Sequence, residues 1–551
     1  MKSSTTESVS TEAKTDSLPR VEIFDTTLRD GTQSEHISYS LTDKLEIARE
    51  LDRLGVDYVE GGWPGSNPKD MAFFSQACTE KWDHARITAF GSTRHAKNDV
   101  ESDPNLQALV ASKAPVFIIF GKSWDFHVTD ALRVSLDDNL RMIESSVRYL
   151  AANCTEMLYD AEHFFDGYKH NPAYAIKTLH AAATAGAKVL VLCDTNGGSM
   201  PGEIQKIVGD VCKEFKGMRV GIHPHNDAGL AVANALAAVE AGACHVQGTI
   251  NGFGERCGNV DLTSVIANLQ LKMGRTCLHG RSSLTKLTEI SREVYEIGNL
   301  QPRDNQPYVG RSAFAHKGGI HVSAVARVAS TYEHVPPEAV GNTRRVLISE
   351  LSGRSNVVAA MGSKFNLKDR PNDLKKVVER VMELENQGYT FEAAQASFEL
   401  LVRKAINAHQ PFFDLHGFRV LTDVNDEGVS ITEATVKIEV AEQIEHTAAE
   451  GNGPVNALDG ALRKALEKFY PELREVTLID YKVRVCNPGA ATGAVVLVTI
   501  VSSDHKSHWT TVGASENIID ASWHALVDSV EYKLYQTRGD ERPKSQRKIA
   551  K

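Results

Sequence analysis

Residues 188–223 form the stretch KVLVLCDTNGGSMPGEIQKIVGDVCKEFKGMRVGIH. It begins with a β-rich apolar run, KVLVLCD (188–194), and ends with a second one, RVGIH (219–223). The residues between the two runs have the length and the amphipathic pattern of a helix. A strand, a helix and a further strand in this order predict a parallel βαβ unit, because parallel strands need a long crossover connection.

The same alternation extends in both directions from this unit. From residue 21 to about residue 271, eight β-rich runs are separated by helical stretches such as DKLEIARELDRLG (43–55). The eight runs are 21–24, 56–60, 86–90, 116–120, 155–160, 188–194, 219–223 and 245–250. Eight βα units in a row predict an α/β protein with a (β/α)8 TIM barrel.

The alternative for this pattern is a doubly wound open sheet that binds a nucleotide. Such a sheet usually has a glycine-rich phosphate-binding turn after its first strand. Here the first strand continues into DTTLRDGTQ (25–33). Two glycine-containing segments, NGFGERCG (251–258) and GNGPVN (451–456), do not have the G-x-G-x-x-G pattern after a first strand. The barrel is therefore the preferred fold.

The rest of the chain is expected to form additional segments, because 551 residues exceed the size of one core. We predict a disordered tail over residues 1–20, the barrel over 21–280 and a mostly helical linker region over 281–405. An α+β domain is predicted over 406–536, followed by a charged tail over 537–551.

The predicted α+β domain shows a weak internal duplication. Its β-rich runs are FRVLTDV (418–424), ATVKIEVA (434–441), TLIDYKVRV (477–485) and AVVLVTIVS (494–502). Helical stretches are predicted at 454–469 and 516–534, each after a glycine-containing loop. This repetition predicts a small domain of two similar units.

Composition excludes several classes of partner. The net charge of −10 disfavours nucleic acid, since a phosphate-binding surface needs an excess of Lys and Arg. No apolar run approaches the length of a membrane span, and the N-terminus lacks the apolar region of a secretory signal. Eight cysteines without a C-x-x-C pair are typical of a reducing compartment. We therefore expect a cytoplasmic protein that binds neither membrane nor nucleic acid.

Two histidines at the end of the seventh run predict a metal site. His223 and His225 are two residues apart, so both side chains leave the same face of a strand. Asp30 follows the first run and Asn259 follows the eighth. Because these strands are neighbours in a closed barrel, the four side chains can converge at its carboxyl-terminal mouth. A mixed N/O set with room for substrate suits Mg, Mn or an open catalytic Zn.

Other polar residues follow barrel strands at the same end. Arg29 precedes Asp30, and we interpret it as a fixed cation that stabilises a ketone oxygen as it becomes an alkoxide. Glu162 and His163 follow the fifth run, and Asp194 and Thr195 end the sixth. Polar residues at this position are typical of catalytic sites in barrels, although some, such as Asp194, could simply cap a loop.

Three motifs together resemble one enzyme family. FDTTLRDGTQ (24–33), HPHNDAGLAVAN (223–234) and NGFGERCGNVDL (251–262) are similar to those of the isopropylmalate, homocitrate and citramalate synthases. Lyases and carboxyltransferases share parts of this pattern, but the three motifs in order, with a C-terminal α+β domain, are typical of the synthases. EGGWPGSNPKD (60–70) and YDAEHFFDGYKHNP (159–172) most resemble the citramalate synthase branch.

The resemblance implies roles for particular residues. It implies that Arg29 holds the oxo-acid ketone, that Thr195 contacts the substrate carboxylate and that Glu162 lies beside the acetyl group. The implied metal ligands are Asp30, His223, His225 and Asn259.

The linker region is also implied to contribute to catalysis. His321, in HKGGIHVSAV (316–325), matches a histidine that the partner subunit supplies, and Tyr332 matches a tyrosine of the same segment. One position departs from the family, which often has an Asp two residues after that histidine, where this chain has Ser323. The general base, His321 or Glu162, therefore stays open.

The reaction implied by the resemblance is a Claisen condensation of acetyl-CoA with pyruvate to citramalate, on the route to isoleucine. The nearest alternative is condensation with 2-oxoisovalerate to isopropylmalate, for leucine. Homocitrate synthesis and acyl-CoA cleavage fit less well, because of the long C-terminal domain. A different class, an inactive barrel that only binds an amino acid, is expected to have lost its ligands. The resemblance also implies a homodimer and isoleucine as an effector of the C-terminal domain.

Overall fold

The computed structural model describes most of the chain outside its two ends. The described residues are 20–280, 283–347, 357, 358, 361, 364–391, 394–424, 426, 428, 430–486, 493–504, 507–539 and 541. Nearly all of the predicted N-terminal tail and most of the predicted charged tail lie outside these residues.

Contacts between residues divide the chain into two compact units. The first unit comprises residues up to 314 and the short segment Val335–Thr343. The second unit comprises Ala315–His334 and the residues from Arg344 onward. The domain boundaries inferred from sequence stay predictions.

The first unit contains a closed barrel of eight parallel strands in sequential order, which confirms the predicted fold. The barrel closes because the first strand pairs with both the second and the eighth. The strands are β1 (Glu22–Asp25), β2 (Tyr58–Gly62), β3 (Arg86–Ser92), β4 (Val116–Lys122), β5 (Glu156–Glu162), β6 (Val189–Asp194), β7 (Arg219–Pro224) and β8 (His245–Gly248).

Helices connect successive strands and surround the barrel. The α-helices of the first unit are Leu41–Leu54, Pro68–Ala77, Pro104–Ser112, Leu136–Ala151, Phe164–His170, Pro172–Ala185, Pro201–Glu214, Ala231–Glu240, Leu262–Leu271 and Leu287–Ile297.

The helix Leu41–Leu54 shows how the sequence sets these boundaries. Ser40 accepts a hydrogen bond from the backbone N–H of Asp43, and the Asp43 side chain accepts one from the N–H of Ser40. This reciprocal cap satisfies donors that have no partner within the helix. Gly55 ends the helix at a φ of 86°, where a Cβ would lie 2.4 Å from the His279 carbonyl oxygen. A side chain is therefore excluded at this turn.

The barrel interior is filled with side chains. Its middle is apolar, with Phe24, Tyr58, Ile118, Leu158 and Val191 among the buried residues. The amino-terminal end holds charged side chains: Arg219 and Arg86 both bond to Glu22 and to Glu156. A filled interior leaves the carboxyl-terminal end of the strands as the place for a site.

The second unit is built from strands and helices outside the barrel. A short parallel pair joins β9 (Ala315–His316) and β10 (Arg345–Val346). Two antiparallel sheets follow, and the α-helices here are Gly319–Arg327, Pro371–Asn386, Gln395–Ala405, Pro454–Leu466 and Ile518–Arg538. The sheets contain β11 (Asp414–Val424), β12 (Ser430–Val440) and β13 (Gln443–Gly451), then β14 (Thr477–Val485), β15 (Val496–Ser503) and β16 (His508–Ser515).

Each sheet is followed by one long helix, so the predicted duplication corresponds to two βββα units. Four strands are predicted from the sequence in these two sheets, whereas the described residues contain six. The additional strands are β13 and β16, and the alternating polar residues of β13 explain why its β character was missed. Among the described residues, no helix combines the length and the apolar composition needed to cross a bilayer.

Candidate metal centre

The loop after β1 presents Arg29 and Asp30 at the barrel mouth. Asp25 accepts hydrogen bonds from the backbone N–H and the hydroxyl of Thr27, at 2.8 and 2.9 Å. The backbone N–H groups of Arg29 and Gly31 both donate to the carbonyl of Thr26. These bonds make a tight turn, and consecutive residues of a turn can direct their side chains to different partners.

Asp30, His223 and His225 come together at this mouth. One possible ligand atom from each lies within 4.8 Å of the other two. The Nε2 atom of His223 is 3.5 Å from a carboxylate oxygen of Asp30. All three side chains are buried, so the cluster is not an incidental group of surface charges.

Asn259 adds a fourth polar group to the cluster. Its Nδ2 donates to Asp30 at 3.1 Å and to the carbonyl of Phe253 at 3.1 Å. A backbone bridge joins Asn259 to His225, which places the two side chains side by side. The Oδ1 atom of Asn259 and the Nδ1 atom of His225 are buried without a hydrogen-bond partner among the described residues.

The electrostatics of the cluster suit a cation. Burial by itself would raise the pKa of the Asp30 carboxyl, but Arg29, His223 and His225 together hold it well below its usual range. Burial, reinforced by His223, lowers the pKa of His225 to about 4. At neutral pH the cluster therefore offers an ionised carboxylate and a neutral His225 imidazole, the protonation states that bind metals. With two buried polar atoms that have no hydrogen-bond partner among the described residues, these residues fit a divalent cation.

Arg29 is fixed beside the cluster. Its Nε donates to Glu60 at 2.7 Å and its Nη1 to Asp30 at 2.9 Å. Its guanidinium carbon lies 3.7 Å from the centre of the Phe90 ring. Two carboxylates and one aromatic face thus define the plane of the guanidinium.

Glu60 was missed by the sequence analysis. It lies in the middle of β2, is fully buried and also accepts a hydrogen bond from the Thr26 hydroxyl. The available signal was its position, because it ends the second β-rich run just as Asp194 ends the sixth. Asp194 was considered a candidate site residue because of this position, and the same reasoning applies to Glu60.

The other predicted barrel residues lie at the ends of β5 and β6. The Thr195 hydroxyl accepts a hydrogen bond from the backbone N–H of His163 at 2.9 Å. Glu162 is half-buried and forms an ion pair with Lys122 of the neighbouring strand. Asp194 accepts hydrogen bonds from the backbone and the hydroxyl of Ser199. Asp194 therefore holds its own loop, as the capping alternative predicted.

His321 and Tyr332 lie in the second compact unit. Their rings stack with centroids 4.1 Å apart, and both side chains are exposed. Ser323 lies two residues farther along the same helix, Gly319–Arg327. The pairing of His321 with Tyr332 is a structural fact, and their part in catalysis stays a prediction.

Family comparisons agree with this architecture. The HMGL-like family matches residues 20–294, the homocitrate synthase post-HMGL domain-like family matches 308–389, and the LeuA allosteric (dimerisation) domain matches 392–534. The fold and the Asp–His–His cluster therefore define an HMGL-like barrel enzyme with a LeuA-type C-terminal domain.

Individual relatives define the family more narrowly. The (R)-citramalate synthase of Geobacter sulfurreducens is 56% identical over 520 residues, covering 94% of this chain and 98% of that protein. The (R)-citramalate synthase of Aquifex aeolicus is 53% identical, with 94% and 98% covered. The 2-isopropylmalate synthase of Methanocaldococcus jannaschii is 32% identical, with 93% and 94% covered. The chain belongs to the citramalate synthase family.

Proposed function

We propose that this chain condenses acetyl-CoA with pyruvate and water, giving (R)-citramalate and CoA in isoleucine biosynthesis. One observation carries the proposal. Five (R)-citramalate synthases are 47–56% identical to the chain over 93–94% of its length, whereas three 2-isopropylmalate synthases are 30–32% identical. The preference for pyruvate inferred from the sequence agrees with this difference.

The metal site proposed for this reaction consists of Asp30, His223, His225 and Asn259. One carboxylate oxygen, two imidazole nitrogens and one amide oxygen suit Mg, Mn or an open catalytic Zn. When bound, the divalent cation supplies Lewis-acid polarisation of the 2-oxo acid. The buried, unpartnered Oδ1 of Asn259 and Nδ1 of His225 support the assignment, since buried polar atoms usually have a partner.

Arg29 is proposed to hold the ketone oxygen of pyruvate. Two of the five guanidinium N–H groups are used by Glu60 and Asp30, so others can donate to a bound oxygen. When the carbon–carbon bond forms, this oxygen gains negative charge. An arginine already fixed in place stabilises that charge without having to reorganise.

Thr195 and Glu162 are proposed to act on the two substrates. Because the Thr195 hydroxyl already accepts from His163, its own proton is directed away and can be donated to the pyruvate carboxylate. Glu162, or His321 from the partner subunit, takes a proton from the acetyl methyl group. The resulting carbanion attacks the ketone carbon, and water then hydrolyses the thioester and releases CoA.

The acceptor is tested by measuring CoA release with pyruvate, 2-oxoisovalerate and 2-oxoglutarate. We expect pyruvate to give the highest kcat/KM. The two larger acids need space for an isopropyl or a carboxyethyl group in place of a methyl. One methylene in an apolar pocket changes specificity by roughly 10–200-fold, so a clear separation is expected. A higher kcat/KM with either larger acid would overturn the proposed function.

The C-terminal α+β domain is proposed to bind isoleucine as an effector and to hold two chains together as a homodimer. The match to the LeuA allosteric (dimerisation) domain and the two βββα units support this proposal. In the dimer, His321 and Tyr332 of one copy are proposed to complete the site of the other. The domain contains two glycine loops, residues 451–453 and 489–493, and most of the second lies outside the described residues.

Isoleucine at millimolar concentration is expected to lower CoA release from acetyl-CoA and pyruvate. Coupling between two binding sites typically amounts to ~1–3 kcal/mol, a change in substrate affinity of roughly 5–150-fold. Leucine and valine serve as controls, since they differ from isoleucine only in the branching or length of an apolar side chain. If isoleucine does not change the rate of CoA release, the C-terminal domain has only a structural role.

A further inference from the structure

Gln247 is a buried polar residue inside the barrel that the proposed mechanism does not use. It lies in β8, and its side chain is completely inaccessible to solvent. Gly221 of β7 pairs with His245 of β8, so residues 223 and 247 lie two positions farther along two adjacent strands. In parallel neighbours with this register, His223 and Gln247 point to the same side.

The Gln247 side chain contacts a predicted metal ligand. Its Oε1 lies 2.7 Å from the Nδ1 of His223. An amide oxygen can only accept a hydrogen bond, so Nδ1 of His223 carries the proton. In a neutral imidazole the other nitrogen is then unprotonated. That nitrogen, Nε2, is the one 3.5 Å from Asp30.

Two further residues fix which way the Gln247 amide faces. Its Nε2 donates to the Asp160 carboxylate at 3.2 Å and lies 3.5 Å from the Nε2 of His245. Asp160 and His245 are themselves buried. His245 in turn lies with its Nδ1 3.4 Å from Glu22, near the amino-terminal end of the barrel. Because the amide nitrogen bonds to Asp160, the amide oxygen faces His223.

We infer that Gln247 is a positioning residue of the metal centre: it holds His223 with a protonated Nδ1 and with Nε2 directed at the cation site. The inference rests on the metal site of the proposed function. Gln247 does not touch the cation or the substrates, and it acts through His223. A partner on the second nitrogen fixes the orientation of a ligating imidazole and makes its free nitrogen a better ligand.

The test compares three variants of the full-length protein by Co²⁺ titration without substrates. Gln247→Met keeps the size of the side chain but removes the acceptor, and removing such a partner typically lowers metal affinity by ~10–100-fold. Gln247→Glu keeps an acceptor toward His223 and is expected to retain most of the affinity. Gln306→Met is the matched control, because Gln306 is also buried in the first unit and bonds to Tyr295 and Asn251 rather than to the cluster.

A second readout separates positioning from a general loss of stability. The midpoint temperature of thermal unfolding without metal is expected to fall to a similar extent in Gln247→Met and Gln306→Met. Only Gln247→Met is expected to lose Co²⁺ affinity and to change the visible absorption spectrum of the Co²⁺ protein. If Gln247→Met does not fold, Gln247→Asn replaces it, since the shorter side chain withdraws the acceptor from His223.

Three results would overturn the inference. These are unchanged Co²⁺ affinity in Gln247→Met, an equal loss in Gln306→Met, and an equal loss in Gln247→Glu. The last would mean that hydrogen-bond acceptance is not what His223 needs. Failure of Co²⁺ to bind the unsubstituted protein would overturn both the metal site and the role of Gln247. A negative acceptor assay with normal Co²⁺ binding would overturn only the proposed reaction.

Discussion

Replacing Arg29 with alanine is expected to lower kcat by ~10²–10³, because one fixed donor to a developing negative charge is typically worth that much. The structure places the Arg29 guanidinium between Glu60, Asp30 and the Phe90 ring, with N–H groups left for a substrate oxygen. Removing a positive charge beside Asp30 does not weaken the attraction of that carboxylate for a cation. The loss is therefore expected in turnover, with metal binding retained.

Two further variants give this prediction its controls. Arg29→Lys keeps the charge but not the two fixed hydrogen bonds, so an intermediate kcat is expected. Arg53→Ala removes a partly exposed arginine that pairs with Glu50 on the outer helix, and it should leave kcat nearly unchanged. Steady-state kinetics and bound metal are measured for each purified variant. Near-normal turnover of Arg29→Ala with metal bound would contradict the role proposed for Arg29.

Replacing Asp30 with asparagine is expected to lower divalent-cation affinity by more than ~100-fold, which exceeds the typical cost of losing an outer partner of a ligand. Asp30 is the only anionic side chain among the four proposed ligands. Without it, a dication would lie beside the positive charge of Arg29 with only neutral ligands. Turnover is expected to fall with the loss of bound metal, and excess Mg²⁺ or Mn²⁺ should restore part of it.

The same Asp-to-Asn change at Asp210 controls for the loss of one negative charge. Asp210 pairs with Lys213 on the helix Pro201–Glu214, and its substitution should leave metal binding unchanged. Metal content after dialysis and calorimetric titration measure the affinities. An Asp30→Asn protein that binds the cation as tightly as the unsubstituted chain would show that the cluster is not the metal site.

The barrel was predictable because its signal is local. Each strand is a short β-rich run between helical stretches, and the runs differ from the observed strands by only a few residues, as with 56–60 against Tyr58–Gly62. Burial on both faces gives parallel strands continuous apolar sequences that are easily recognised. The edge-exposed strand β13 has a polar composition instead, and it was not recognised.

The convergence of Asp30, His223 and His225 was predictable for a related reason. These residues lie at or just after the ends of strands, and barrel topology alone brings such positions together. Three other buried polar residues were harder to predict, because each lies within or at the end of a β-rich run. They are Glu60, Asp160 and Gln247. Their partners are between 24 and 87 residues away in sequence, and only the closed barrel shows that Gln247 meets both His223 and Asp160.

The residues expected from a second chain were predicted on a different basis. His321 and Tyr332 were assigned through the resemblance to the synthase family, and no local pattern in the sequence pointed to them. The structure adds that the two rings stack on each other in the second unit. By the resemblance to the family, an Asp is often found where this chain has Ser323, so a carboxylate that orients His321 is expected to be absent or to come from elsewhere.

The proposed condensation of acetyl-CoA with pyruvate is tested by the acceptor assay with identification of the product. The full-length protein is incubated with acetyl-CoA, a divalent cation and each 2-oxo acid in turn, and both free CoA and the carboxylic acid product are measured. We expect metal-dependent formation of (R)-citramalate from pyruvate, which is lost on chelation and regained when the cation is returned. Preferential formation of 2-isopropylmalate or homocitrate, or equal activity after complete removal of metal, would contradict it.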